Sequence, residues 1–166
     1  MTNLPPRVET QPTKLDRLSD VVGIGVFIAS VVYIILKWSS LPDEVPIHFN
    51  AAGEADGYGS PYVMLLLTAI GAGLWALLQF LERHPEWHNY PRRLNETNAK
   101  EFYQSSRTLL NRIKNLSLIL FAFLNWETIR VALGDTNSLS KFGMYGVFIL
   151  IFGVLIVGVV RQQRIK

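Results

Sequence analysis

Residues 41–60, LPDEVPIHFNAAGEADGYGS, decide how the chain is read. The stretch carries four acidic residues (Asp43, Glu44, Glu54, Asp56), one histidine (His48), three glycines and two prolines, and no lysine or arginine. Hydrophobic runs long enough to cross a bilayer flank it on both sides, so it lies at a membrane surface. Pro42 and Pro46 bias their neighbours toward extended backbone, while Gly53, Gly57 and Gly59 permit turns. The chain has no cysteine, so no disulfide pins this loop and no thiolate serves as nucleophile or metal ligand.

Outward on the N-terminal side, residues 18–38 read as the first span. The run ends in YIILKW rather than in a small-residue cleavage site, so it is expected to remain as a transmembrane helix with Lys37 and Trp38 at the interface. Before it, residues 1–17 form a polar arm with Pro5, Pro6 and Pro12, expected to be disordered or loosely attached. On the other side, residues 62–81 make a second span of about 20 residues, matched to roughly 30 Å of hydrocarbon. Pro61 suits the first turn of that helix, and Gly71 and Gly73 with Ala69 and Ala72 let a neighbouring helix of the same bundle approach closely.

Residues 82–115 form a polar connector that opens ERHPEWHNYPRRL. Beyond Thr97 no glycine or proline appears until Gly134, and Phe102, Leu109, Ile113, Leu116 and Leu120 recur at helical spacing. One helix from about residue 97 to 133 is therefore expected, its first half extending into the cytoplasm and residues 116–133 forming the third span. Residues 134–137 make a turn, 142–160 a fourth span, and Arg161, Arg164 and Lys166 a basic tail.

With 49% hydrophobic and 17% charged residues the chain is too apolar for an ordinary soluble domain. Thirteen of the sixteen lysines and arginines fall in the arm, the connector and the tail, leaving Lys37, Arg130 and Lys141 elsewhere. The positive-inside rule then places those three segments in the cytoplasm. The expected fold is an all-α integral-membrane four-helix bundle of the inner, or plasma, membrane, multi-pass, with both termini inside and an acidic extracytoplasmic loop. Its parts are the arm (1–17), a membrane domain (18–134), and a last span with its tail (135–166). The net charge of +3 is accounted for by topology, so nucleic acid is not an expected partner, and no cofactor is expected.

Three constellations could carry function. In the loop, Asp43, Glu44, His48, Asn50, Glu54 and Asp56 are ligand-binding candidates, and His48 and Asp56 are weak metal candidates. The acidic set reads equally as a solvated cap, a docking surface for a peptide or protein, or a cation site. In the third span, Asn125, Glu127 and Arg130 are polar at membrane depth; Glu127 and Arg130, three apart, form either an ion pair that fixes the bundle or the lining of a wet cavity. In the connector, His84, His88, Asn89, Tyr90 and Pro91 form an elbow at headgroup level, beside Arg92 and Arg93 suited to anionic lipid. His48 falls on the opposite side from His84 and His88, which excludes a three-histidine zinc site. No GxSxG, phosphate-cradling loop or paired-aspartate signature is present, and the chain is not expected to be an enzyme. A metal-dependent membrane enzyme on His48 is the catalytic reading that remains.

The set Leu41, Pro42, Pro46, His48, Phe49, Asn50, Gly53, Asp56 and Gly57 resembles a bacterial integral-membrane domain of unknown function that forms the N-terminal half of SdpI-type immunity and signalling proteins. Asn89, Tyr90, Pro91, Asn98, Ala99, Tyr103 and Arg107 extend the resemblance to about residues 37–134. Pro61 stands where that family commonly has lysine, and one span follows where SdpI-type proteins carry a further membrane half. The resemblance implies membrane residence and an immunity or sensing role, and supplies no catalytic residues. The leading expectation is a protein that senses or shields against an extracytoplasmic ligand, a peptide foremost, through residues 41–60. The third helix would relay the event to the elbow, for a membrane or cytoplasmic protein partner to read. The alternative is a small transporter or channel-like component using Glu127 and Arg130 in a polar intramembrane path.

Overall fold

A computed structural model describes residues 8–166, so Pro5, Pro6, Arg7 and the rest of the arm's first seven residues lie outside it. Helix α1 (Lys14–Lys37) begins four residues before the apolar run because Thr13 and Asp16 form a capping box: Thr13 N donates to the Asp16 carboxylate at 2.8 Å, and Asp16 N donates to Thr13 Oγ1 at 3.1 Å. The described part of the arm is not loose. Arg107 donates to the Thr10 carbonyl at 2.7 Å and Gln104 to the Gln11 carbonyl at 3.0 Å.

Helix α2 (Tyr62–Arg83) follows Pro61 directly, helix α3 (Ala99–Ala132) runs about 51 Å, and helix α4 (Lys141–Gln163) is capped by Ser140, whose Oγ accepts from Gly143 N at 3.2 Å. Among the described residues, three helices are long and apolar enough to cross a membrane: α1 with its 3-10 extension to Ser40, α2 and α4. Helix α3 is the hub. It packs against each of the other three, which make no comparable contact with one another. Arg93 reaches the Gln162 and Ile165 carbonyls and Asn98 reaches that of Lys166, so the connector, the arm and the tail gather at one end of the bundle.

The buried face of α3 is mixed: Asn111, Lys114, Asn115, Asn125 and Glu127 are buried beside Phe102, Tyr103, Leu118 and Ile129, whereas Leu109, Ile113, Leu116 and Leu120 are only half-buried. The first half of α3 packs within the fold: Phe102 and Tyr103 are fully buried, under the ring of Tyr90 at 5.9 and 5.2 Å.

Glycines set the closest approaches. A Cβ on Gly71 of α2 would lie 2.8 Å from Cγ and 3.0 Å from Cβ of Phe121, atoms too near the α3 backbone to move aside, whereas one on Gly73 would meet nothing within 4 Å. Gly71→Leu is expected to lower the unfolding free energy by about 1–3 kcal/mol and Gly73→Leu to leave it within about 0.5 kcal/mol. Unfolding in denaturing detergent, followed by circular dichroism, compares the two.

The fold is not wholly α. Strands β1 (Val45–Phe49) and β2 (Ala55–Gly59) pair antiparallel, with Val45 opposite Gly59 and Phe49 opposite Ala55. Pro46 is tolerated because both strands are edges and a missing N–H there breaks no central ladder. Asn50 makes the turn: its Oδ1 accepts from Ala52 N at 2.8 Å and Glu54 N at 3.1 Å, and Gly53 sits at φ 81°, where a side chain would be strained. The hairpin stands on a small core in which Val45 meets Ile34, Met64 and Ile129, each at most 2% exposed. Leu139 N donates to the Gly53 carbonyl at 2.8 Å and ties the hairpin to the α3–α4 turn.

Candidate functional site

At the hairpin end, Asp43, Glu44, His48, Glu54 and Asp56 are exposed and Asn50 is half-buried. His48 Nδ1 donates to Asp56 Oδ1 at 2.5 Å, which turns Nε2 outward, and Asn50 Nδ2 donates to Glu54 at 3.2 Å. Asp43 and Glu44 pair with no cation among the described residues. The six candidates therefore divide: Asn50 builds the turn, His48 and Asp56 orient each other, and the remaining carboxylates face outward. No three of His, Asp or Glu converge as a metal cluster among the described residues; His48 and Asp56 bring two donors at most.

Just beneath, Glu127 is buried and accepts from Arg130 at 3.1 Å and from Ser140 N at 2.7 Å. Arg130 lies 5.2 Å from the Trp126 ring centre, and Asn125 donates to Thr68 Oγ1 at 3.0 Å. Glu127 thus fastens the start of α4 to α3. Apolar grooves of about 410, 350 and 330 Å³ lie along α3, and neither Glu127 nor Arg130 lines any of them.

At the opposite end, the elbow residues are structural ties. His88 Nε2 donates to the Leu81 carbonyl at 2.8 Å, so Nδ1 is left to accept from Ser106 Oγ at 2.7 Å, and neither ring nitrogen is free. Tyr90 donates to the Pro85 carbonyl at 2.7 Å, and burial raises its phenol above the ordinary value, keeping it a donor. His84 stacks on Trp87 at 4.5 Å and bonds Glu86 at 3.2 Å. Asn89 and Pro91 are exposed.

A fourth constellation was not singled out from the sequence. Lys114, with no exposed surface, donates to Glu82 at 2.6 Å, Gln79 at 2.6 Å and Asp20 at 2.9 Å. Asn111 and Asn115 also donate to Asp20, at 2.9 and 2.8 Å, and the Arg107 guanidinium lies 3.7 Å from Glu82. Two cations and two carboxylates so join α1, α2 and α3 inside the bundle. Lys114 is no surface cation of the connector. The signal available was Asn111, Lys114 and Asn115 on one face of α3, with Asp20 opening one apolar run and Glu82 closing another.

These features define a membrane protein: three apolar helices arranged on a polar hub, with an acidic hairpin at one end. Residues 25–72, which run from α1 through the hairpin into α2, match the model of a domain of unknown function, DUF1648. An uncharacterized protein of Archaeoglobus fulgidus is 34% identical over 68 residues, a match that takes in 36% of this chain and 37% of that protein. The chain thus spans little more than a third of the length of the curated relative it matches. No solved structure matches.

Proposed function

We propose that this is a plasma-membrane protein whose four helices all cross the bilayer, and that it binds an extracytoplasmic cationic peptide at its hairpin in an SdpI-type immunity or sensing role. The connector and both ends of the described chain are cytoplasmic in this reading, and the hairpin lies outside. Supporting it, Thr10 and Lys166 meet the connector at one end of the bundle, as an even number of crossings requires, and α3 buries Lys114 and Glu127 within the bundle, as ionisable groups in a span do.

The observation that carries the reading is the display of Asp43, Glu44, Glu54 and Asp56 on a two-stranded platform seated on the hub through Val45. Such a surface recognises by charge and binds rather than reacts. A route inward is built in, because Leu139 and Ser140 link the hairpin to α4 and, through Glu127, to α3.

Replacing Asp43, Glu44, Glu54 and Asp56 together by lysine is expected to abolish binding of an oligolysine-rich peptide to the protein in nanodiscs, as read by calorimetry. Binding to the native hairpin is expected to weaken as salt rises. Unchanged affinity in the charge-reversed protein removes the electrostatic basis of the proposal.

A further inference from the structure

Helices α1 and α4 both lean on α3 without closing on each other. Near the end where the chain termini gather, a recess of about 20 Å³ is lined by Ser105, Thr108 and Arg112 of α3 and by Val154, Gly158 and Arg161 of α4. Arg112 and Val154 also line the 330 Å³ apolar groove above it, with Leu18 and Val22 of α1 opposite. Ile119 in turn lines both that groove and the 410 Å³ one that reaches Trp126.

The polar groups of the recess lack partners. Ser105 is 6% exposed and its hydroxyl makes no hydrogen bond, while Arg112 and Arg161 form no ion pair or side-chain hydrogen bond among the described residues. Arg17, Arg83, Arg92 and Arg164 are likewise unpaired among the described residues, and Arg112 and Arg161 are the two that share this recess. The Thr108 hydroxyl is turned away, toward Asp16 at 3.5 Å. A buried donor without an acceptor and two unpaired guanidinium groups fit one class of ligand, an anion with several acceptor oxygens. The groove fits its remainder: from Arg112 to Trp126 is about 21 Å along α3, room for an acyl chain in a leaflet of roughly 15 Å of hydrocarbon.

We infer that this groove is a binding site for one anionic phospholipid, its phosphate held at the mouth of the recess by Arg112 and Arg161, a water within the recess linking it to the Ser105 hydroxyl, and an acyl chain lying along α3 beside α1. The site is separate from the hairpin.

Native mass spectrometry of the detergent-solubilised protein, titrated with dioleoyl phosphatidylglycerol and dioleoyl phosphatidylcholine, tests it. Retention is expected for phosphatidylglycerol and to fall about 25-fold in R112Q/R161Q, at about fivefold for each arginine. Val154→Trp, which fills the groove and leaves both arginines in place, is expected to weaken retention as well, and R112K/R161K to keep most of it. Inorganic phosphate is expected not to compete. Equal retention of the two lipids, unchanged affinity in R112Q/R161Q or Val154→Trp, competition by phosphate alone, or a second copy of the chain occupying the groove would each overturn the assignment.

Discussion

Lys114→Ala is expected to lower the unfolding free energy by about 3–5 kcal/mol. The ammonium is wholly buried and stands between Glu82, whose side chain is 3% exposed, and Asp20, 31% exposed. Without it, two carboxylates face each other around Asn111, and water can reach little of Glu82. The cost is mostly that of stranded charge rather than of a lost attraction. Removing the charge of Lys114 together with that of one carboxylate, in Lys114→Met with Asp20→Asn, leaves Arg107 to balance Glu82 and is therefore expected to regain most of the loss. Lys114→Arg is not a safe substitute, since a planar fork must replace a compact point donor already 2.6 Å from two oxygens. Unfolding in mixed micelles with increasing denaturing detergent ranks the variants. If Lys114→Ala unfolds with the native protein, the cluster does not hold α1 and α2 to the hub.

That cluster marks the boundary of what the sequence made legible. The apolar helices could be read because their signal is local: length, composition, Pro61 at the head of α2, and an unbroken stretch after Thr97 that became α3. The acidic character of residues 41–60 was legible for the same reason. The hairpin was hidden because its strands contain Pro46, Gly57 and Gly59, residues that read as turns; what pairs them is Asn50 with Gly53, a turn whose meaning lies in its geometry. The capping box that extends α1 is written in Thr13 and Asp16, but the three prolines before it read as a loose arm. The partners of Lys114 were out of reach in a different way. Asp20 and Glu82 lie 94 and 32 residues away, and no local pattern announces such a meeting. The polar residues of α3 turn inward toward partners on α1 and α2, which an amphipathic stripe read alone does not show.

Glu127→Ala is expected to destabilise the protein by about 3 kcal/mol, and Glu127→Gln by only about 1 kcal/mol. The difference follows from what each oxygen does. One accepts the Ser140 backbone N–H at 2.7 Å, and alanine leaves that group with no acceptor, whereas the glutamine carbonyl can still take it. The other meets Arg130, whose side chain is 32% exposed and rests over Trp126, so the ion pair is screened and contributes less. Because Ser140 follows Leu139, which bonds the Gly53 carbonyl, alanine is also expected to speed hydrogen exchange at the Leu139 and Ser140 amides and to weaken peptide binding at the hairpin. Glutamine is expected to leave both nearly unchanged. The same pair of variants separates the two functional readings, since a transport path through Glu127 needs its charge and not its hydrogen bond. Ion flux in liposomes that is present in the native protein and lost in Glu127→Gln, with stability and peptide binding intact, would move the centre of function from the hairpin to this carboxylate.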